Sequence, residues 1–309
     1  MTLVLGSYAL AWGRSAAEHA EVIDAAAEES LVGGLEVPWT GLRTASDLVE
    51  VLRRRPDWRI VVTSLPSTLA QLAVQPEFGL ASPHPAGRRA AVADAASLRS
   101  SVVSLNDSLG RAAVSAIELH SAPTPHDVPD ARGALARSLD TITGWDWDGA
   151  QILLEHVDAK VEGHAPGKGF LSLEDELDVI SEGSFPMGVL INWGRSAIEL
   201  RSAARVVDHL AMARDSGVLR GLIFSGASAV ATRYGEAWAD QHLPPSAHER
   251  DSLLTADMMD DALRVAGPLD FTGVKMSWRA ASVREGTVML LSTARLVSAL
   301  SVRNWQSTP

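Results

Sequence analysis

The chain has 309 residues, of which 46% are hydrophobic and 21% charged, and its formal net charge is −11. That is enough apolar material for a large core, while an acidic balance with no basic stripe argues against nucleic acid as a partner. Cysteine is absent, which removes disulfides, thiol nucleophiles and thiolate-held metals, so any metal would rest on His, Asp, Glu or Asn.

No apolar run approaches the roughly 18 residues that cross a bilayer. The N-terminus opens in a strand pattern with no basic segment ahead of an apolar stretch, so neither a membrane partner nor a secretory signal is expected. The expectation is a cytoplasmic protein, with a homo-oligomer left open. Lysine occurs only at Lys160, Lys168 and Lys275, and this Arg-rich, Lys-poor usage suggests a bacterium with a GC-rich genome.

Eight short apolar runs read as strands, at 3–10, 34–39, 58–66, 114–121, 151–158, 187–194, 219–225 and 271–278. Most are apolar on both faces, as parallel strands are. Nearly all are followed by an amphipathic helical stretch, at about 16–29 after the first, 131–143 after the fourth and 173–182 after the fifth. After the sixth, Leu200, Ala203, Ala204, Val207, Leu210 and Ala211 fall on one stripe, the spacing of a helix packed on a sheet. Ser15–Glu18, Ser196–Glu199 and Ser282–Glu285 read as capping boxes, and 282–305 reads as a long helix closing the structure. The pattern predicts an α/β fold, a single (β/α)8 TIM barrel over the whole chain. Two strand-to-strand intervals are long and carry insertions at about 67–86 and 226–250, both at the barrel mouth.

In such barrels chemistry gathers where the strands end. The fifth run, Leu153-Leu-Glu155-His156, ends a wholly apolar strand in a carboxylate, which alternation turns into the barrel. Burying it alone would cost several kcal/mol, so a cation must lie near it or it must be protonated; a functional role and a structural ion pair both fit. The fourth run puts Glu118 and His120 on one face, His120 serving as a general base or as a hydrogen-bonded core histidine, with Glu118 orienting it in either case. Trp12, Trp39, Trp193 and Trp278 stand at strand ends, where indole faces stack on sugar rings, although two of the four are expected to be core. Trp58, Trp145 and Trp147 precede strands and read as structural. The second insertion holds Trp238, Asp240 and His242 before a Pro pair. It reads as a lid bringing Asp240 or His242 over the mouth, or as a loop merely held down by Trp238. The Gly-rich segment around Lys168 is a weak candidate for holding phosphate or carboxylate. His84, His126, His209 and His248 are assigned no role.

Three local motifs, Gly34-Leu-Glu36-Val-Pro38, Leu153-Leu-Glu155-His156 and Leu190-Ile-Asn192-Trp193-Gly-Arg195, together with the strand order, resemble the xylose-isomerase-like TIM barrels, the superfamily of sugar and sugar-phosphate isomerases and epimerases. The resemblance implies a divalent metal held by Glu on the fifth strand, Asp on the sixth, His on the seventh and Glu on the eighth. Glu155 matches the first position, and Glu36 falls where the family contacts substrate. The others depart: Asn192 with Arg195 stands for Asp-x-x-His, Ser225 for the seventh-strand His, and Lys275 for the last Glu. One carboxylate beside two fixed cations needs no metal to balance it, and the cations repel one. The expectation is therefore a metal-free site, with Glu155 the ligand if a metal were held. Glu155, His120, His242 and Lys275 are the expected catalytic residues. Glu36, Glu118, Asn192, Arg195, Trp12, Trp39, Trp193 and Asp240 are the expected substrate contacts. Arg195 could equally cap a helix or pair with a surface acid, and Lys275–Glu155 could be a buried salt bridge. The function implied is proton transfer beside a carbonyl in a carbohydrate-like small molecule; the alternative is a carbohydrate-binding or regulatory protein on the same barrel.

Overall fold

A computed structural model describes residues 2–11, 13–42, 46–124, 130–280 and 282–306. The elements run β1 (Thr2–Leu5), α1 (Ser7–Ala11), α2 (Ala16–Ala27), β2 (Gly34–Pro38), α3 (Trp39–Leu42), α4 (Ser46–Arg54), β3 (Arg59–Thr63), α5 (Leu65–Val74), α6 (Pro85–Leu109), β4 (Val114–Leu119), α7 (Ala131–Thr143), β5 (Gln151–His156), α8 (Leu173–Gly183), β6 (Gly188–Asn192), α9 (Trp193–Leu200), α10 (Val206–Asp215), β7 (Leu219–Phe224), α11 (Ala256–Ala266), β8 (Phe271–Val274) and α12 (Val283–Gln306). The eight strands pair in sequence order, all parallel, and β8 closes on β1. This is the (β/α)8 barrel that the strand count predicts.

Strands end earlier than the apolar runs do, because short helices take up the remaining apolar residues. The run at 3–10 becomes β1 and α1, and the run at 187–194 becomes β6 and the start of α9. The sixth helical unit also departs from its expected stripe. It breaks at Arg201, which takes a left-handed conformation at φ 48°, into α9 and α10, and the buried face of α10 is Val206, His209, Leu210 and Ala213. The capping boxes divide likewise. Ser15 and Glu18 form theirs, and Ser282 Oγ accepts from the Glu285 amide at 3.3 Å. Ser196 instead lies inside α9, whose N-cap is Asn192, its side chain accepting from the Gly194 amide at 3.2 Å. The segment 67–86 is helical at its two ends, in α5 and the start of α6, with turns between them. The stretch 226–255 has no helix and is pinned at its base by reciprocal backbone bonds between Gly226 and Leu243, 2.8 and 3.0 Å.

Two apolar layers hold the barrel. Val4, Val61, Ala116, Leu153, Leu190, Ile223 and Phe271 fill its interior, and the other faces of the strands pack on the helices in one continuous core. Trp58, at the stability end, is fully buried with its indole donating to Val32 O at 2.8 Å. Above the interior apolar layer the side chains turn polar: Glu36, Thr63, Glu118, Glu155, Asn192 and Lys275 are each no more than 1% exposed. Among the described residues no helix is long and apolar enough to cross a membrane.

The start of β2 tolerates no side chain, since a Cβ on Gly34 would stand 1.9 Å from the Arg59 carbonyl oxygen. Gly34→Ala is expected to lower stability by about 1–3 kcal/mol, the usual cost of overpacking, read as a lower urea midpoint at unchanged slope. An unchanged midpoint would show that β2 and β3 can move apart freely.

Candidate active site

Most strand ends deliver polar side chains to the same buried region, Glu36, Thr63, Glu118, Glu155, Asn192 and Lys275 among them, because alternation sends every second residue inward. From β5 comes Glu155, at 0% exposure. Its Oε2 lies 2.8 Å from His120 Nε2, beyond the end of β4. Its Oε1 is ion-paired with Arg195 Nη1, lies 3.6 Å from Lys275 Nζ, and accepts a long 3.5 Å bond from Asn192 Nδ2. Burial works to raise the Glu155 pKa, but Arg195, Lys275 and the His120 hydrogen bond outweigh it and hold the carboxyl well below its usual range. Lys275 donates to Glu36 Oε1 at 2.5 Å, and Tyr8 donates to the same oxygen at 3.0 Å. Burial would strip the Lys275 proton, yet Glu155 and Glu36 hold its pKa well above normal.

Arg195 reaches this cluster because α9 is a short helix with residues 193–199 all buried. Its Nε donates to Asp240 Oδ2 at 3.0 Å, and Lys168 Nζ donates to the same oxygen at 2.6 Å. Asp240 thereby clamps the loop after β7 onto the mouth. Burial would raise Asp240, but His242, Lys168 and Arg195 hold it well below its ordinary value. His242 Nδ1 lies 3.1 Å from Asp240 Oδ1. Burial, with Lys275, Arg195 and Lys168 behind it, lowers the His242 pKa to about 3 against the opposing pull of Asp240, so the imidazole is neutral. The residue sits at φ 50°, a conformation that costs a non-glycine residue free energy and tends to mark functional positions. Its carbonyl accepts from the Ser277 amide at 2.7 Å, tying the loop to the end of β8. A cavity of about 360 Å³ opens here, lined by Tyr8, Lys168, Arg195, Asp240, His242 and Arg279 among others.

The structure brings Glu36, Glu118, His120, Glu155, Asn192, Arg195, Asp240, His242 and Lys275 into one region, but several contacts differ from those read from sequence. Glu118 does not orient His120. Ser64 Oγ does so, 3.1 Å from Nδ1, with Glu155 on the other nitrogen. Both carboxyl oxygens of Glu118 are buried without a well-formed hydrogen bond, and burial, then Glu36 and Glu155, raise its pKa well above normal against the opposing pulls of Lys275 and Thr63. Burial also lowers His120. Trp39 and Trp193 offer no open stacking face. Trp193 is 1% exposed in the core, and Trp39, 6% exposed, donates to Ser101 on α6 at 3.1 Å. Trp278 donates to the Ser282 carbonyl, and Trp12 lies outside the described residues. The Lys168 amide is taken by Asp158 Oδ2 at 2.8 Å, so that loop presents its ammonium rather than its backbone to an anion. Arg195 neither caps α9 nor meets a surface acid.

Sequence reasoning missed Tyr8, Ser64 and Arg279. It also missed a second buried network on the outer face of β5. His156, next to Glu155 but turned outward, holds Glu176 of α8 through Nδ1 and Glu199 of α9 through Nε2, both at 2.8 Å. Burial would lower His156, but Glu176 and Glu199 raise it to about 10. Burial works to raise Glu199, and His156 nevertheless draws it down to about 2. The signal was available: Glu199 follows Arg195 by one helical turn, and His156 directly follows Glu155 on the strand.

Solved structures of similar shape share this barrel fold at low sequence identity. The IolI protein, crystallised with a zinc atom, superposes with a TM-score of 0.64 over 99% of both chains at 12% identity. A D-psicose 3-epimerase with D-tagatose from Clostridium cellulolyticum H10 gives 0.58, covering 98% of this chain and 96% of that one at 14% identity. By sequence, residues 4–287 match the family described as Domain of unknown function (DUF4862), and the chain belongs to it. A protein of Salmonella typhimurium, called uncharacterized protein STM3670, is 38% identical over 232 residues, 73% of this chain and 72% of its own.

The His156 network sets a pH window. Its folded pKa of about 10 lies above the ordinary 6.5, so its contribution is complete below pH 6.5 and lost as pH rises through 10, by up to about 1.4 kcal/mol per pH unit. With chelator present, the His156 ring resonances are expected to keep their charged positions at pH 8. Titration near 6.5 would show that the two glutamates do not hold the proton.

Proposed function

We propose that the chain is an isomerase- or epimerase-like enzyme that moves a proton beside a carbonyl in an anionic sugar derivative, with fixed cations in place of a divalent ion. The observation that carries this reading is the pairing of Glu155 with both Arg195 and Lys275 at no more than 2% exposure. A metal ligand needs free lone pairs facing an open coordination position. Both Glu155 oxygens are engaged, one by an imidazole and the other by an amide and two cations, and a divalent ion there would meet those cations at contact distance. The donor set does not fit the metal that related barrels hold at this strand position.

The charge of the mouth supports an anionic substrate. Three cationic side chains, Lys168, Arg195 and Arg279, line the cavity against the single carboxylate of Asp240. Arg195 both touches Glu155 and faces the cavity, so it is the group placed to meet a developing enediolate oxygen. Lys275, Glu155 and His120 lie beneath it and act as positioning residues, fixing Arg195 and keeping the floor ionised. His242 is the acid/base. Its proton affinity is suppressed by burial and by Lys275, Arg195 and Lys168, so negative charge building up on the substrate beside those cations raises it when a base is required. Glu36 and Asn192 complete the polar floor and Asp240 locks the loop.

A sugar-binding protein on the same barrel is the second reading. The carboxylate lining the mouth, Asp240, is held well below its ordinary pKa by the cations around it, as is Glu155 beneath it, which makes them poor bases.

Proton NMR in heavy water separates the two. With chelator-treated protein and a panel of sugar acids and sugar phosphates, loss of the signal from the hydrogen beside the carbonyl is expected for at least one member. His242→Gln is expected to slow that exchange by about 10²–10⁴-fold, the range for removing a general base, with binding retained. Thermal stabilisation by a sugar with no exchange across the panel would instead establish the binding protein.

A further inference from the structure

The cluster on the outer face of β5 takes no part in the proposed reaction. His156, Glu199 and His209 each offer one donor atom, all within 4.8 Å of one another, on side chains no more than 7% exposed. The way the imidazoles are held distinguishes this group from an ordinary buried ion pair. Glu176 Oε2 fixes His156 Nδ1 at 2.8 Å, and Ser121 Oγ in turn donates to Glu176 Oε1 at 2.5 Å. Ser196 Oγ fixes His209 Nδ1 at 3.1 Å. Both rings thus present Nε2 to one carboxylate, His156 at 2.8 Å from Oε2 and His209 at 3.6 Å from Oε1. The second distance is too long for a hydrogen bond. Metal-bound histidines are oriented in this way, through the ring nitrogen that does not face the ion.

We infer that His156 Nε2, the Glu199 carboxylate and His209 Nε2 form a binding site for a Zn²⁺-class divalent ion, separate from the barrel mouth. Two imidazoles and one carboxylate, without sulfur, suit that class of borderline ion. Ligand bonds of about 2.0–2.1 Å put neighbouring ligand atoms roughly 3.3 Å apart; here His156 Nε2 is 2.8 Å from Glu199 Oε2, His209 Nε2 is 3.6 Å from Oε1, and all three donors lie within 4.8 Å, so a bound ion requires the side chains to close around it. A proton on His156 against Glu176 and Glu199 leaves the cluster one negative charge in excess. A divalent ion replacing that proton, which leaves Nε2 for solvent, brings the cluster to neutrality. With Nδ1 held by Ser196 Oγ, His209 turns Nε2 toward Glu199 without a hydrogen bond to it. The fourth position falls to water.

The test is a spectroscopic titration of the chelator-stripped full chain with Co²⁺, read by its visible d–d bands, followed by competition with Zn²⁺. One equivalent is expected to bind. His209→Ala and Glu199→Gln are expected to abolish the bands. Ser196→Ala, a small change outside the ligand set, is expected to weaken binding by about 10–100-fold, as loss of an orienting partner does. His248→Ala, at an exposed histidine elsewhere, is expected to leave it unchanged. Absence of bands in the unmutated chain, or binding that survives both His209→Ala and Ser196→Ala, would overturn the assignment as an adventitious ion only.

Discussion

One carboxylate, Glu155, sets the terms for the upper half of this barrel. It sits at the end of an apolar strand with no exposure, where an uncompensated charge would cost several kcal/mol, enough to erase most of a domain's net stability. Arg195 and Lys275 supply the compensation, and each is itself too buried to stand alone. Lys275 therefore takes Glu36 as a second partner, and Arg195 takes Asp240. Asp240 recruits Lys168 and places His242. The loop after β7, the loop after β5 and the ends of β2 and β8 are thus linked by a chain of opposite charges running from the floor of the site to its rim.

The same elements carry a second charge system on the other side of the wall. Glu155 and His156 are neighbours on β5 and face opposite ways. Arg195 and Glu199 are one turn apart on α9 and meet them from above. A short helix packed over the end of a strand therefore closes both networks. This explains why residues 193–199 of α9 are all buried although Arg195 and Glu199 are among them: the polar atoms that burial removes from water find partners in β5, α10 and the loops after β5 and β7.

The barrel was legible because its signal is repeated. Eight apolar runs at regular intervals each encode the same packing, and an error of several residues at one strand end leaves the count intact. The candidate site was legible where a residue broke the local pattern: a Glu closing an apolar strand, and a Lys and an Arg where the resemblance implies an acidic and a neutral ligand. It was not legible where partner choice depends on angles between distant elements. Glu118 and His120 are two residues apart at the end of β4, yet His120 is oriented by Ser64 from β3's end. Trp193 stands at a strand end, but α9 begins there and turns its ring into the core. His209 looked like any helix-surface histidine, because its significance lies in the orientation of α10 against α9. Sequence spacing gave the face of each side chain, and only packing determined what that face meets.

The central proposition is that fixed cations, not a divalent ion, neutralise Glu155. Crystals grown with excess Mn²⁺ test it by position, through anomalous scattering. No anomalous peak is expected within ligand distance of Glu155, with the Arg195 and Lys275 pairs intact. A peak bonded to a Glu155 oxygen, with Arg195 or Lys275 displaced, would contradict it.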